Sequence, residues 1–244
     1  MSKSTRVKAV ISYDGSAYYG FQKQKSTKQT ITYEIEHALA SLQIDGSIVG
    51  SGRTDAGVHA TGQVIHFDIP PYWHDLDKLT LNLNRKLSAI RFKHITFVAS
   101  DFHARFHAKK RIYRYIFKTK QPSLFEQKYI SYYAAFDTML LYDALNSFIG
   151  KHDFNMFRKT GTDTHTSIRE IYQARHLQRE SYHYIYVEAN GFLRAQVRMM
   201  IETAMQVAQK KLPLQALIEQ RNCKRQHNTK LAPAEGLYLA RIIY

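Results

Sequence analysis

Gly50-Ser51-Gly52-Arg53-Thr54-Asp55-Ala56-Gly57-Val58-His59-Ala60 is the stretch around which the chain is organised. A β-type run, Asp45 to Val49, precedes it, and a second, Gln63 to Ile69, follows it. A plain hairpin needs far fewer polar and glycine residues. Glycine reaches backbone conformations that other residues resist and lets a ligand approach closely. Asp55 is therefore expected on a loop held by a strand at each end, where catalytic groups are often presented. A bare Asp-x-Gly is no more than a turn in which the side chain bonds its own backbone, and motifs that short carry little weight.

Working outward, Arg6 to Tyr13 alternates as a strand, and Asp14-Gly15-Ser16 breaks it. Thr30 is placed to cap a helix with Glu34 and Glu36 early in it, where the dipole favours acids. Ile31, Ile35, Ala38, Leu39 and Leu42 form that helix's apolar stripe. After Pro70-Pro71, Leu76 to Leu87 has helical spacing and Ile90 to Ser100 alternates as a strand. Phe102 to Lys110 links the halves, and a helix there would point His103 and His107 the same way.

The second half has the same order. Arg111 to Lys118 reads as a strand, then a helix capped by Asp137 runs to Ile149 and is closed by Gly150. A hairpin follows, Thr166 to Gln178 and Tyr182 to Asn190. A long helix ends before Pro213, with Val197, Ile201, Ala204, Met205 and Ala208 as its stripe. Leu214 to Gln220 forms a short helix, and Gly236 to Tyr244 is the last strand. Twice over, this is strand, helix, strand, strand, helix, strand. The order predicts an α+β fold of two similar lobes, each an antiparallel sheet with helices on one face. The lobes are placed at residues 1–104, carrying Asp55, and 105–244, with a binding cleft between them.

The chain has 244 residues, 44% hydrophobic and 23% charged, ordinary for a globular protein. Its charge is not ordinary. Lys and Arg total 35 against 20 Asp and Glu, a formal +15, with a pI near 9.8. That surplus predicts a polyanionic partner, nucleic acid first. Cations and aromatics interleave in Lys109-Lys110-Arg111-Ile112-Tyr113-Arg114-Tyr115, a mixture suited to phosphates and base faces. Cys223 is the one cysteine, so no internal disulfide or thiolate zinc site is available. That fits a reducing cytoplasm. No signal peptide is evident at Met1 to Tyr13, and nothing approaches the length of a membrane-spanning helix.

The 12 histidines include no His-Glu-x-x-His and no zinc spacing, so no catalytic metal is expected. Gly50-x-Gly52 lacks the rest of a dinucleotide fingerprint, and no serine sits in a Gly-x-Ser-x-Gly elbow. Asp55 and the arginines remain. Arg198 borders the apolar stripe of the long helix, because Met205 returns to within roughly 20° of it. A partly buried guanidinium needs a carboxylate. Glu202, one turn on, and Asp55 are both candidates, and helical spacing does not choose between them.

The stretch around Asp55 resembles the signature of the TruA-type tRNA pseudouridine synthases. Further matches run in that family's order: Tyr13-Asp14-Gly15, Gly20-Phe21-Gln22-Lys23-Gln24, Phe102-His103-Ala104-Arg105-Phe106, Tyr113-Arg114-Tyr115 and Gly150-Lys151-His152-Asp153-Phe154. Ser167-Ile168-Arg169, Asn190-Gly191-Phe192-Leu193, Val197-Arg198 and Ala232-Pro233-Ala234-Glu235-Gly236-Leu237-Tyr238-Leu239 complete them. The resemblance implies the two-lobed pseudouridine synthase fold with a positive cleft, commonly a homodimer. It implies isomerisation of uridine to pseudouridine in the tRNA anticodon arm, at nucleotides 38, 39 and 40, with no cofactor or metal. It makes Asp55 the catalytic aspartate, Tyr113 the tyrosine against the target base, and Arg53 and Arg198 the arginines around the aspartate. Whether Asp55 acts as nucleophile or as base stays open. The chain departs from the family at Phe21, where Trp is usual, at Thr32-Tyr33, where Gln-Gly is usual, and at Met199 and Glu202, near which an Asn and a Gly are usual. Two other readings share the basic surface: an RNA-binding or chaperone protein with no use for Asp55, and an enzyme acting on another RNA such as ribosomal RNA.

Overall fold

A computed structural model describes residues 4–161 and 164–244. The fold is α+β, and the chain packs as two compact units, Met1–Lys109 with Leu239–Tyr244, and Lys110–Tyr238.

In the first unit, β1 (Thr5–Tyr13) buries Val7, Ala9, Ile11 and Tyr13 on one face. Helix α1 (Ile31–Ala40) starts at Thr30, whose hydroxyl accepts the Tyr33 N–H. It buries Ile31, Thr32, Ile35, Ala38 and Leu39. Strand β2 is only Val49–Gly50, and β3 (His59–Ile69) begins before the expected Gln63. The expected strand from Asp45 fails for a visible reason. Gly46 has φ +121°, and the Ile48 N–H donates to Glu36 Oε1 at 3.0 Å instead of to a neighbouring strand. Helix α2 (Leu76–Lys86) is capped by Asp75 and buries Leu79 and Leu83. Strand β4 (Ile90–Phe97) then pairs antiparallel with β1, and β1 pairs antiparallel with β3.

In the second unit, β5 (Lys110–Lys118) buries Tyr113, Tyr115 and Phe117. Strand β6 (Ser131–Tyr132) lies parallel to β5. Helix α3 (Thr138–Asn146) is capped by Asp137, whose carboxylate accepts the Met139 and Leu140 N–H groups. It ends before Ile149, and Gly150, at φ +108°, opens a strand instead of closing the helix. This β7 (Gly150–Asp153) pairs with β8 (Ile168–Arg179), and β8 pairs with β9 (Tyr182–Ala189), both antiparallel. Strand β9 also pairs antiparallel with β5. Gly-Lys-His-Asp has no apolar alternation, so the β7 edge strand left no signal in the sequence. Helices α4 (Gln196–Ala208) and α5 (Leu214–Arg221) follow. The apolar stripe Val197, Ile201, Ala204, Met205 and Ala208 is buried as expected. The last strand, β10 (Leu237–Ile243), returns to the first unit beside β3, in the order β4-β1-β3-β10.

Residues 102–107 form a tight turn, not a helix. It still brings His103 and His107 together, the His107 N–H donating to His103 O at 3.0 Å. The Ala104 N–H donates to Nδ1 of buried His66 at 3.1 Å. Burial first, then the charge of Arg6 and the nearby histidines, pushes the His66 pKa down to about 4. Burial and the neighbouring His183 push His176 down to about 4 as well. Both folded values lie below the ordinary 6.5. The unfolded chain therefore takes up protons first as pH falls. Stability from these groups is fully present above pH 6.5 and drains away toward pH 4. Denaturant midpoints should fall across that window, and a His66→Gln variant, which keeps an acceptor but cannot titrate, should show a shallower fall. An identical slope in the variant would exclude His66 as a source.

Candidate active site

The loop from Gly50 to Val58 is held by hydrogen bonds along most of its length. Ser51 N–H donates to Val64 O at 2.8 Å. The Ser51 hydroxyl donates to Gln63 Oε1 at 2.6 Å, and the Gln63 amide nitrogen donates to Gly52 O at 2.7 Å. Thr54 is buried, with its hydroxyl 2.9 Å from the buried Tyr13 hydroxyl. Its carbonyl accepts the Phe21 N–H at 3.0 Å, while the Gly57 N–H reaches Tyr18 O at 3.2 Å. Val58 N–H closes a turn onto Asp55 O at 3.2 Å. At the far end, Gly15 N–H donates to Nδ1 of buried His59 at 3.0 Å. Asp55 itself is half-buried and Arg53 exposed, on either side of anchored Thr54. Alternation along a pinned segment thus turns one side chain inward as a peg and presents its neighbours.

Two glycines are required by close packing. A Cβ on Gly15 would stand 2.0 Å from Val58 O, and one on Gly50 would stand 2.5 Å from the Phe21 ring. The strand-end loop and the Asp55 loop therefore approach each other more closely than any other residue allows. Removing the Tyr13 hydroxyl, in Tyr13→Phe, should leave the Thr54 hydroxyl short of its buried partner and cost about 1–3 kcal/mol of stability. Urea denaturation measures it, and a cost near zero would mean that this bond does not hold the loop.

The other two expected residues lie in the second unit. Tyr113, on β5, is 8% exposed and meets the Phe192 ring edge-on, with centroids 5.2 Å apart. Arg198 lies in the first turn of α4, which follows Ala195 at φ +59°. It is half-buried, as the helical spacing predicts. Its Nε donates to Ala232 O at 2.7 Å, and its own carbonyl accepts the Ala232 N–H at 3.0 Å. Ala232 has no exposed surface, so the root of the arginine is fixed to the core. Glu202 has partners of its own: the Tyr133 hydroxyl at 2.8 Å and Gln206 Nε2 at 3.1 Å. Burial is the main reason that the Tyr133 hydroxyl holds its proton far more tightly than usual. Among the described residues, no group of three His, Cys, Asp or Glu side chains is placed to hold a metal ion. Nor, among them, is any helix long and apolar enough to cross a membrane.

A model of the tRNA pseudouridine synthase family matches residues 9–107 and 144–244. The chain is 39% identical over 243 residues to tRNA pseudouridine synthase A of Helicobacter hepaticus, covering 97% of this chain and 98% of that one. It is 37% identical over 240 residues to the protein of that name from Campylobacter jejuni, covering 98% and 100%. A third of the same name, from Lactococcus lactis, is 36% identical over 250 residues, covering 98% and 97%. The chain belongs to the tRNA pseudouridine synthase family.

As a member of that family it is an isomerase, and Phe21, Thr32, Tyr33 and Glu202, where it departs from the resemblance, have local partners. Phe21, in place of the usual tryptophan, is 5% exposed and lies over Gly50, with the Tyr13 ring 6.4 Å away. Thr32 is buried with its N–H on Phe21 O at 2.9 Å, and Tyr33 stacks on His37. Glu202 is taken up by Tyr133 and Gln206. The supporting residues Tyr13, Gln63, Phe192 and Ala232 were not singled out in the sequence for these roles. Tyr13, Phe192 and Ala232 do stand inside motifs that match the synthase signature, which is the one signal that pointed near them.

Proposed function

We propose that this protein converts uridine to pseudouridine in the anticodon arm of tRNA, at nucleotides 38, 39 and 40, with Asp55 as the catalytic group. The observation that carries the proposal is a half-buried carboxylate on a loop whose backbone is locked on both sides, in a chain of net charge +15. Preorganised placement of one charged group is what such a reaction needs. The bond from uracil N1 to the ribose C1′ breaks and a bond from C5 to C1′ forms. C5 loses a proton and N1 gains one, so no oxidant, reductant or group donor enters.

The target nucleotide has to leave its stack, at a cost of a few kcal/mol. Tyr113, buried beside Phe192, is the ring proposed to meet the extruded base, and stacking on it would offset about 1–3 kcal/mol of that cost. Arg53, exposed beside Asp55, fills the vacated place or holds a phosphate. Arg198 is, by the family resemblance, the second arginine of the catalytic set. Asp55 then attacks the base or sugar, or removes a proton. The enzyme works in the cytoplasm and as a homodimer on this reading, which follows from the family resemblance.

The test uses unmodified tRNA transcripts tritiated at uridine C5. Tritium release is expected from transcripts with uridine at nucleotides 38 to 40 and not from those with cytidine there. Release only from ribosomal RNA, or from none, would overturn the proposal.

A further inference from the structure

Phe106 is 73% exposed, in a chain that otherwise buries most of its phenylalanines. It stands at the tip of the turn after β4, and that turn cannot fold it away. Ala104 is tied at both ends of its peptide units, by His66 Nδ1 at 3.1 Å and by the Tyr244 hydroxyl at 2.7 Å. His103 Nδ1 accepts the N–H groups of both Arg105 and Phe106 at 3.2 Å. Beneath, Phe102 packs on Tyr244 at 5.1 Å, with the Lys8 ammonium 5.9 Å from one ring and 5.8 Å from the other. Moving the tip inward would break these bonds to backbone groups, which is costly where the groups are buried.

The Phe106 ring is backed by the His103 ring, with centroids 4.2 Å apart and planes 29° apart. The Arg105 guanidinium lies over the Phe106 ring, 5.6 Å from its centroid and within cation–π range, on an exposed side chain that can turn toward a phosphate. A rigid aromatic face in water, backed by a second ring and flanked by exposed Arg105 and Lys109, has the features of a nucleobase platform. A second copy of this chain would bring the same cations and repel; RNA brings phosphates.

We propose that Phe106, stacked on His103, receives one unpaired nucleobase of the bound tRNA, with Arg105 on the adjoining phosphate. The proposal rests on the tRNA reading above and adds a contact outside the residues that perform the isomerisation.

The experiment measures the Kd of an unmodified tRNA transcript, at fixed and at varied salt, for wild type, Phe106→Ala, Phe106→Leu, Phe106→Trp and Arg105→Ala. Stacking predicts that Ala and Leu weaken binding by about tenfold while Trp keeps it. Phe106→Ala should leave the slope of log Kd against log salt unchanged, whereas Arg105→Ala should make it shallower by about one phosphate contact. Thermal unfolding of the Phe106 variants should match wild type, since the ring is exposed, which separates lost contact from lost fold. Wild-type affinity in Phe106→Ala, or full affinity in Phe106→Leu, overturns the platform. If wild type itself fails to bind tRNA, the functional reading has failed; if it binds and turns over while Phe106→Ala does the same, only the platform has.

Discussion

An Asp55→Asn variant is expected to lose turnover by about a hundredfold to ten-thousandfold, while its Kd for tRNA stays within about tenfold of wild type. The two numbers separate because they depend on different groups. Affinity for a polyanion comes mostly from many phosphate contacts spread over a surface of formal charge +15. On the proposed reading turnover depends on one carboxylate that can attack or take a proton, and an amide of the same shape does neither. The loop should survive the change, because Thr54, Ser51, Gln63 and the glycines anchor it. Single-turnover tritium release and filter binding on the same preparation read both quantities. Near-normal release by the variant would remove Asp55 from the chemistry. Loss of binding in parallel with activity would make Asp55 a structural residue.

The second large effect is expected at Arg198. On the proposed reading Arg198→Ala should lower kcat by about a hundredfold or more, the size of losing one electrostatic group from a reaction site, with the KM for tRNA changed far less. Glu202→Gln should leave turnover nearly unchanged, since its carboxylate is occupied by Tyr133 and Gln206. Arg198→Ala also deprives the Ala232 carbonyl of a donor, so a stability loss of about 1–3 kcal/mol accompanies it. Arg198→Lys separates the two roles. It restores a positive charge but not the Nε–H bond, so partial recovery of kcat without recovery of stability marks an electrostatic role. The opposite pattern, with Glu202→Gln as damaging as Arg198→Ala, would tie the arginine to its own helix.

Some of this molecule is written locally and some is not. Thr30 and Asp137 were legible as helix caps because a cap joins a side chain to N–H groups two or three residues on. The stripe from Val197 to Ala208 was legible because burial repeats with the helical turn. The strand expected at Asp45 failed because Glu36, from another element, takes the Ile48 N–H. The two short strands Ser131–Tyr132 and Gly150–Asp153 exist only through their neighbours, having too few residues for any periodicity of their own.

The candidate site divides along the same line. The amino-acid sequence by itself determined the α+β class, the main helices and longer strands, the net basic charge and, through a specific signature, the place of Asp55 on a loop between strands. Only tertiary structure decided that Tyr13 pegs Thr54, that Phe21 lies over Gly50, that Ala232 fixes Arg198, and that Leu239–Tyr244 folds back into the first unit. Periodicity and capping are set within a few residues. A contact such as that of Tyr13 with Thr54 joins distant segments and forms only when the packing around both is complete.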